Sequence, residues 1–196
     1  MAEPLAVALH AVRKLAPPAG EPVVVVGCGP IGGLAALLLS RLHDGPLLVS
    51  DRNAARASLV ADVSGASAVD LEAGAIAGAL GEGVLRYALD ATRNIVVLQT
   101  VIDLIAGGGT LGLVGITHGT IGLDPNILVE REIALIGCHA FAEEMPEAVA
   151  MLPDLALALK RLIDSEIPLD EVPAAYQRLL AGKTTGLKTI IDVAGS

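Results

Sequence analysis

Short apolar runs alternate along the chain with segments of helical periodicity. Four consecutive valines occupy positions 23–26, and comparable apolar runs return at 47–50, 67–69, 84–90, 110–116 and 133–138. Such runs are typical of parallel strands, because both faces of these strands are covered by other elements. Helices are predicted between them at 34–42, 54–63, 71–80, 93–105 and 126–131. This alternation, with right-handed crossovers, predicts an α/β fold with a doubly wound, six-stranded parallel sheet.

The first and last parts of the chain do not follow this alternation. Apolar residues near the start recur at intervals of three and four and predict a helix from Pro4: Leu5, Leu9, Val12 and Leu15. After position 140 a helix is predicted with a possible break at Pro153, then a second helix capped by Asp170. The predicted C-terminal elements are a helix at 143–162, an extended stretch at 167–169, a helix at 172–181 and a short final strand at 187–193. We divide the chain into a first helix and linker (1–20), a central α/β domain (21–140), and a C-terminal helical extension and final strand that pack on this domain (141–196).

Three glycines follow the valine strand at the spacing of a phosphate-binding turn. Gly27 permits a tight turn, Gly29 lets the backbone approach a pyrophosphate, and Gly32 lets the next helix pack closely on the strand. The free N–H groups and the dipole at the start of that helix attract phosphate anions. The strand, turn and helix therefore predict the first unit of a Rossmann fold and a dinucleotide ligand.

An acid stands where such a unit holds the adenosine ribose. Asp51 follows the second strand, nineteen positions after Gly32, and a carboxylate there accepts hydrogen bonds from the ribose hydroxyls. Asp51 would repel a 2′-phosphate, which favours NAD over NADP, although Arg52 could partly offset that repulsion. Two alternatives stay open: a compact turn without a ligand, and an S-adenosylmethionine methyltransferase. The second usually has an acid just before its first glycine, where this chain has Val25 and Val26.

Composition narrows the range of partners. The net charge of −9 and the absence of a Lys/Arg cluster argue against a nucleic-acid surface. Cys28 and Cys138 form neither a disulfide framework nor a metal-ligand pair, which favours a reducing cytoplasm. Residues 22–40 carry no charge, but four valines and a Gly-x-Gly-Pro turn would break a membrane helix, so we expect no membrane segment. The start of the chain has no signal-peptide pattern.

Several segments also resemble a known family. They lie at 3–7 (EPLAV), 26–32 (VGCGPIG), 50–52 (SDR), 90–91 (DA), 108–111 (GGTL), 113–115 (LVG), 132–137 (EIALIG) and 187–190 (LKTI). In this pattern the chain resembles the zinc-type medium-chain alcohol and polyol dehydrogenases, especially the sorbitol, threonine and idonate dehydrogenase branch. The resemblance covers nearly the whole chain but begins in the middle of the family's sequence, so it implies the coenzyme-binding domain without the N-terminal catalytic domain.

The resemblance implies an NAD(H)-binding oxidoreductase-type protein, whose relatives move hydride between nicotinamide and a secondary alcohol or ketone. It implies that the pyrophosphate is held by Gly27, Gly29, Pro30, Ile31 and Gly32. Asp51 would hold the adenosine ribose with Arg52 beside it, and Arg56 would flank the adenine. The rest of the expected cofactor-binding set is Thr92, Val114, Gly115, Ile116, Cys138 and His139, of which the last five would line the nicotinamide.

The catalytic part of the function is not assigned from the sequence. The family's zinc ligands lie in the missing front domain, so no zinc is expected, and Glu3 is interpreted as a helix-start carboxylate. Of the histidines, His118 and His139 follow predicted strands and are the first to mutate. A small-molecule substrate is possible, with a non-catalytic NAD-binding regulatory or partner protein as the alternative. An open edge at the sixth strand predicts a homodimer.

Overall fold

A computed structural model describes residues 1–193 of the chain. Its helices are α1 (Ala2–Leu15), α2 (Pro30–Leu42), α3 (Ala54–Ser64), α4 (Ala73–Leu80), α5 (Ile95–Leu104), α6 (Pro125–Glu130), α7 (Met145–Leu162) and α8 (Val172–Leu180). Its strands are β1 (Val23–Val26), β2 (Leu47–Ser50), β3 (Ser67–Ala68), β4 (Tyr87–Asp90), β5 (Thr110–Leu113), β6 (Ala134–Gly137), β7 (Ile163–Pro168) and β8 (Lys188–Asp192). The last three residues of the predicted C-terminal extension lie outside the described part.

The first six strands form one sheet in the order β3-β2-β1-β4-β5-β6, and every neighbouring pair is parallel. This is the strand order of the doubly wound Rossmann fold. From β1 the chain adds β2 and β3 toward one edge of the sheet, and from β4 it adds β5 and β6 toward the other edge. The direction in which strands are added therefore reverses between β1 and β4. The predicted fold class is confirmed.

Both faces of the sheet are covered, as the valine run predicted. Val23 and Val25 belong to a core cluster shared with α1, α2, α3 and α7. Val24 and Val26 belong to a second cluster shared with α4 and α5. Because successive side chains of a strand point to opposite faces, β1 needs apolar residues at every position. The sheet thus fixes the backbone that precedes the glycine turn.

The C-terminal part differs from the sequence prediction in two places. Helix α7 continues through Pro153 without a break, and its buried residues Ala148, Leu155 and Leu159 lie on both sides of the proline. That packing outweighs the single backbone hydrogen bond that a proline removes. The capping role expected for Asp170 is wrong, because Asp170 lies inside a 3₁₀ turn (Leu169–Glu171) whose side chains do not cap α8.

The C-terminal extension contains a second sheet of two strands. Strands β7 and β8 pair in parallel, from Ile163 opposite Lys188 to Pro168 opposite Asp192. The first two residues of the stretch predicted as extended, Ile167 and Pro168, end a longer strand, and Leu169 begins the 3₁₀ turn. The predicted final strand is the partner of β7. A methyl group on Gly33 would lie 2.3 Å from the Leu187 Cδ1 atom and 3.2 Å from the Val60 Cγ2 atom, so these three residues lie together. This contact joins the extension to α2 and α3.

Among the described residues, no helix has both the length and the apolar character needed to cross a membrane. The uncharged stretch at 22–40 is divided between the four-residue β1, the glycine turn and most of α2. This division agrees with the sequence argument against a membrane helix.

Candidate nucleotide-binding site

The ends of five strands meet at one edge of the sheet. Val26 of β1 pairs with both Ser50 of β2 and Asp90 of β4, and Leu113 of β5 pairs with both Asp90 and Gly137 of β6. The residues that follow these strand ends therefore leave the sheet side by side. Most of the predicted cofactor-binding residues lie there, in the crevice where open α/β sheets bind ligands.

The glycine turn has the shape that a pyrophosphate requires. Gly27 has a φ of +94°, in the left-handed region that favours glycine. A methyl group built on Gly32 would lie 1.8 Å from the Gly27 carbonyl oxygen, so α2 packs directly on the turn. Gly29, the residue before α2, has no atom within 4 Å of the position that its methyl group would take. The turn is thus closely packed against α2 at Gly32, and the space beside Gly29 is free of protein atoms.

Pro30 and Ile31 begin α2 directly after this opening. Pro30 occupies the first turn, where its missing N–H leaves no hydrogen bond unmade. Ile31 is partly buried against the core. No acidic residue lies in the first turn of α2, so nothing there competes with an anion for the helix dipole.

Asp51 points into the turn. Its Oδ2 atom accepts a hydrogen bond of 2.7 Å from the backbone N–H of Cys28, and its Oδ1 atom accepts one of 2.7 Å from the N–H of Asn53. Two amides therefore fix the orientation of the carboxylate. A carboxylate has room for about four hydrogen bonds, so acceptor positions remain for ribose hydroxyls.

A cleft of about 360 Å³ adjoins this carboxylate and is lined by Asp51, Arg52, Asn53, Arg56 and Gly182. Arg56 donates from Nη2 to the Thr184 hydroxyl at 2.7 Å, while its buried Nε atom makes no hydrogen bond to any described residue. Thr184 is 5% exposed. The guanidinium is thus held in place beside the predicted ribose site.

Gly182 and Thr184 are site residues that the sequence did not indicate. They lie more than a hundred residues after Asp51, in a polar loop between α8 and β8. The Asp164 carboxylate accepts hydrogen bonds from the N–H groups of Thr185 (2.9 Å) and Gly186 (2.8 Å), which fixes this loop against β7. No local sequence signal connects such a loop to the first β-α-β unit.

Thr92 lies between the glycine turn and the end of β5. The Asp90 Oδ1 atom accepts hydrogen bonds from both the backbone N–H of Thr92 (2.8 Å) and its hydroxyl (2.6 Å). Asp90 is 3% exposed, and burial raises the pKa of its carboxyl above the usual value, while the bonds from Thr92 act in the opposite direction. The structure therefore places Thr92 in the crevice but gives its hydroxyl a partner within the protein.

The residues expected to line the nicotinamide follow β5 and β6. Val114 is partly buried against the core, and Ile116 is 65% exposed. A methyl group on Gly115 would lie 1.5 Å from the Thr92 carbonyl oxygen, so the two loops touch there. Cys138 is buried and its thiol donates to the Ile136 carbonyl at 3.6 Å, whereas His139 is exposed. The side chain of Cys138 thus turns into the protein, and only its backbone lies at the crevice.

Both thiols are held in the neutral form. Burial, with a smaller contribution from the Asp51 charge, raises the pKa of Cys28 to about 12. Burial also raises the pKa of Cys138. A nucleophilic cysteine needs a lowered pKa, so neither residue has the character of a catalytic thiolate.

The histidines do not form a cluster. His10 Nδ1 lies 2.9 Å from Glu144 Oε1, and His43 Nε2 lies 2.7 Å from the Glu21 carbonyl oxygen. His118 is exposed in the loop after β5. Within residues 1–193 no three His, Cys, Asp or Glu side chains come together to hold a metal ion. Glu3 is exposed in the first turn of α1, so the described residues do not fit the zinc site of the resembled family.

Comparison with curated proteins finds relatives among polyol dehydrogenases. L-galactonate-5-dehydrogenase of Escherichia coli (strain K12) is 27% identical over 195 residues, which cover 96% of this chain and 57% of that protein. Sorbitol dehydrogenase of Macaca fascicularis is 28% identical over 197 residues, covering 96% and 54%. The chain spans about half the length of the curated relatives it matches. No model of a protein family matches the chain.

Comparison with solved structures gives the same picture. The 2R,3R-butanediol dehydrogenase of Bacillus subtilis superposes with a TM-score of 0.84 at 25% identity, covering 97% of this chain and 56% of that one. A Sinorhizobium meliloti 1021 protein assigned as a zinc-binding dehydrogenase, solved with NADP, superposes at 0.79 and 25% identity, covering 89% and 53%. An Escherichia coli CFT073 alcohol dehydrogenase complexed with NADH shares the fold, with a TM-score of 0.83 at 19% identity and coverage of 96% and 57%. The resemblance to the zinc-type alcohol and polyol dehydrogenases is confirmed.

Proposed function

We propose that this chain binds NAD(H) and serves as the coenzyme-binding part of an oxidoreductase of the alcohol and polyol dehydrogenase type. The reaction would move hydride between the nicotinamide and a secondary alcohol or its ketone. One observation carries the proposal: the Asp51 carboxylate lies 2.7 Å from the N–H of Cys28, inside the glycine turn. A sugar acceptor and a phosphate cradle are thus adjacent, as a dinucleotide requires.

Different residues would bind different parts of the cofactor. The amides at the start of α2 would face the pyrophosphate, since the space over Gly29 is open. Asp51 would accept from the adenosine ribose, and Arg56 would flank the adenine in the adjoining cleft. Val114, Gly115 and Ile116 would form a wall for the nicotinamide, together with the backbone of Cys138 and the exposed His139. When bound, the nicotinamide supplies the hydride donor or acceptor, and the protein orients it.

NAD is the proposed cofactor rather than NADP. A 2′-phosphate on the adenosine ribose would lie against the Asp51 carboxylate, and two negative charges at such a distance repel each other. Arg52 and Arg56 line the same cleft and would weaken that repulsion. Since Arg56 already donates to Thr184, we expect a preference for NADH over NADPH of about tenfold rather than complete exclusion.

No catalytic residue is assigned. Hydride transfer needs a group that stabilises the oxygen of the alcohol or ketone, such as a metal ion or a hydrogen-bond donor. Our proposal is that this group comes from outside residues 1–193, that the substrate is a small molecule, and that these residues hold no resident zinc. NADH binding by the isolated chain, without oxidation of NADH by small ketones, would agree with it.

We also propose that two copies of the chain associate through β6. Among the described strands β6 pairs only with β5, which leaves its other edge open to a strand from a second copy. Val129, on the helix that precedes β6, is 74% exposed. Light scattering at micromolar concentration should give the mass of a dimer, and a monomer would contradict this part of the proposal.

The two free cysteines favour a cytoplasmic location.

Titration of the purified chain with NADH and NADPH, followed by fluorescence, tests cofactor binding. The Asp51→Ala variant should lose at least about tenfold in NADH affinity, because charge-assisted hydrogen bonds to the ribose disappear. Its preference for NADH over NADPH should also shrink. Asp44→Ala is the matched control, because Asp44 also accepts a hydrogen bond from a backbone N–H, that of Gly20 at 2.8 Å, but lies away from the turn. Equal NADH affinity in the wild type and Asp51→Ala would contradict the proposal.

A further inference from the structure

A buried carboxylate with no assigned role lies at the centre of the crevice. Asp90 ends β4, beside β1, and is 3% exposed. Buried acids are rare unless they are hydrogen-bonded, since removing a carboxylate from water is unfavourable. Its side chain accepts hydrogen bonds from one residue, Thr92, through the backbone N–H (2.8 Å) and the hydroxyl (2.6 Å). Asp90 therefore fixes the conformation of residues 90–92.

These three residues fill the space between two glycines. A methyl group on Gly27 would lie 3.0 Å from the Thr92 N atom and 3.0 Å from its Cγ2 atom. On the other side, a methyl group on Gly115 would lie 1.5 Å from the Thr92 carbonyl oxygen. Thr92 is thus in close backbone contact with the proposed pyrophosphate turn and with the proposed nicotinamide wall.

The main chain of Asp90 supports the same arrangement. Its carbonyl oxygen accepts hydrogen bonds from the N–H groups of Val114 (3.0 Å) and Gly115 (3.1 Å). The N–H of Ala91 donates to the Val26 carbonyl at 2.8 Å. One short segment is therefore bonded to the end of β1 on one side and to the end of β5 on the other.

We infer that Asp90 is a positioning residue: by holding Thr92 between Gly27 and Gly115, it sets the spacing between the pyrophosphate turn and the wall for the nicotinamide. This inference rests on the proposed function. The side-chain hydrogen bonds of Asp90 come from Thr92, and Asp90 acts through that residue. Loss of its carboxylate should weaken ligands that reach both the turn and the nicotinamide wall, and spare ligands that do not reach the wall.

The test compares NADH with AMP, which carries the adenosine ribose but neither the pyrophosphate nor the nicotinamide. Asp90→Ala leaves the Thr92 N–H without its acceptor and should weaken NADH binding about tenfold, with AMP affinity within about twofold of wild type. Asp90→Asn keeps the Oδ1 acceptor and should restore NADH affinity to within about threefold. NADH binding is followed by fluorescence and AMP binding by NMR titration.

Asn94→Ala is the matched control. Asn94 lies in the same loop and accepts from the N–H groups of Val96 and Val97, but its side chain contacts neither glycine. The variant should lose stability without losing NADH affinity. If Asp90→Ala does not fold, Thr92→Val keeps the backbone N–H bond to Asp90 and removes the hydroxyl, which donates to Asp90 and accepts from the N–H of Asn94 at 3.3 Å. This variant should weaken NADH binding about threefold with AMP affinity unchanged.

The outcomes separate the two proposals. A wild-type chain that does not bind NADH would refute the proposed function itself. NADH binding by the wild type with equal affinity in Asp90→Ala, or in Thr92→Val when Asp90→Ala is unfolded, would refute the positioning role alone. Parallel loss of AMP and NADH affinity would also refute it, because that result indicates a general structural role.

Discussion

Substitution by alanine should affect two glycines of the phosphate turn differently: Gly32→Ala should lower stability, and Gly29→Ala should lower NADH affinity. A methyl group on Gly32 would lie 1.8 Å from the Gly27 carbonyl oxygen, whereas a methyl group on Gly29 would meet nothing within 4 Å. Side-chain carbons essentially never approach closer than 3.0 Å, so Gly32→Ala requires α2 to move away from the turn by about 1.2 Å. The obstacle is backbone and cannot rotate away.

The expected cost of Gly32→Ala follows from two opposing effects. Overpacking at a rigid contact destabilises by up to about 3 kcal/mol. Alanine in place of glycine inside a helix returns about 1 kcal/mol. The net loss is about 2 kcal/mol, which for a chain of this length lowers the midpoint of thermal unfolding by about 4 to 8 °C.

Gly29→Ala should leave the fold nearly intact and remove the ligand. Gly29 has a φ of −78°, which alanine adopts without strain, so the loss of stability should stay below about 1 kcal/mol. The new methyl group would occupy the space proposed for the pyrophosphate, and NADH affinity should fall at least about tenfold. Calorimetry and NADH fluorescence on both variants are the assays. Wild-type NADH affinity in Gly29→Ala would refute the proposed position of the pyrophosphate, and wild-type stability in Gly32→Ala would refute the close packing of α2.

Three further predictions concern groups around the site. Because the pKa of Cys28 is raised to about 12, Ellman's reagent at pH 8 should leave this thiol unmodified until the protein unfolds, and fast labelling of the native chain would be inconsistent with its burial. The hydrogen bond from His10 lowers the pKa of Glu144 from 4.5 to about 2, so Glu144→Gln should be less stable than wild type at pH 5. That difference should vanish as the pH falls through about 2, and acid titrations of the two proteins that run parallel would contradict the assignment. Arg131 donates to the carbonyl oxygens of Ile102, Asp103 and Ile105 at the end of α5. Urea denaturation of Arg131→Ala should therefore show a free energy of unfolding lower by about 1 to 3 kcal/mol. An unchanged midpoint would show that these bonds do not contribute to stability.

Local features of the sequence predicted the first β-α-β unit well. The valine run, the glycine spacing and Asn53 each act over a few residues, and Asn53 caps α3 by accepting from the N–H groups of Ala55 and Arg56. Asp51 lies close enough to the turn in sequence for a family pattern to include it. Because these effects act between residues close in sequence, the structure of this unit can be predicted from the local sequence.

The features that escaped prediction depend on distant partners. Thr184 lies 128 residues from Arg56, and nothing near either residue indicates their hydrogen bond. Pro153 breaks an isolated helix, but here the buried side chains of α7 hold the helix together. Asp170 resembles a helix cap in sequence, yet a 3₁₀ turn places it one residue too early. Asp90 belongs to a family pattern in the sequence, but the contacts of its partner Thr92 with Gly27 and Gly115 form only when the strands are aligned.

A crystal structure of the chain with NADH would show the proposed binding mode directly. The account predicts the pyrophosphate over Gly29 at the start of α2, both adenosine ribose hydroxyls on the Asp51 carboxylate, and the nicotinamide beside Gly115. NADH bound elsewhere, or bound here with its ribose turned away from Asp51, would contradict it.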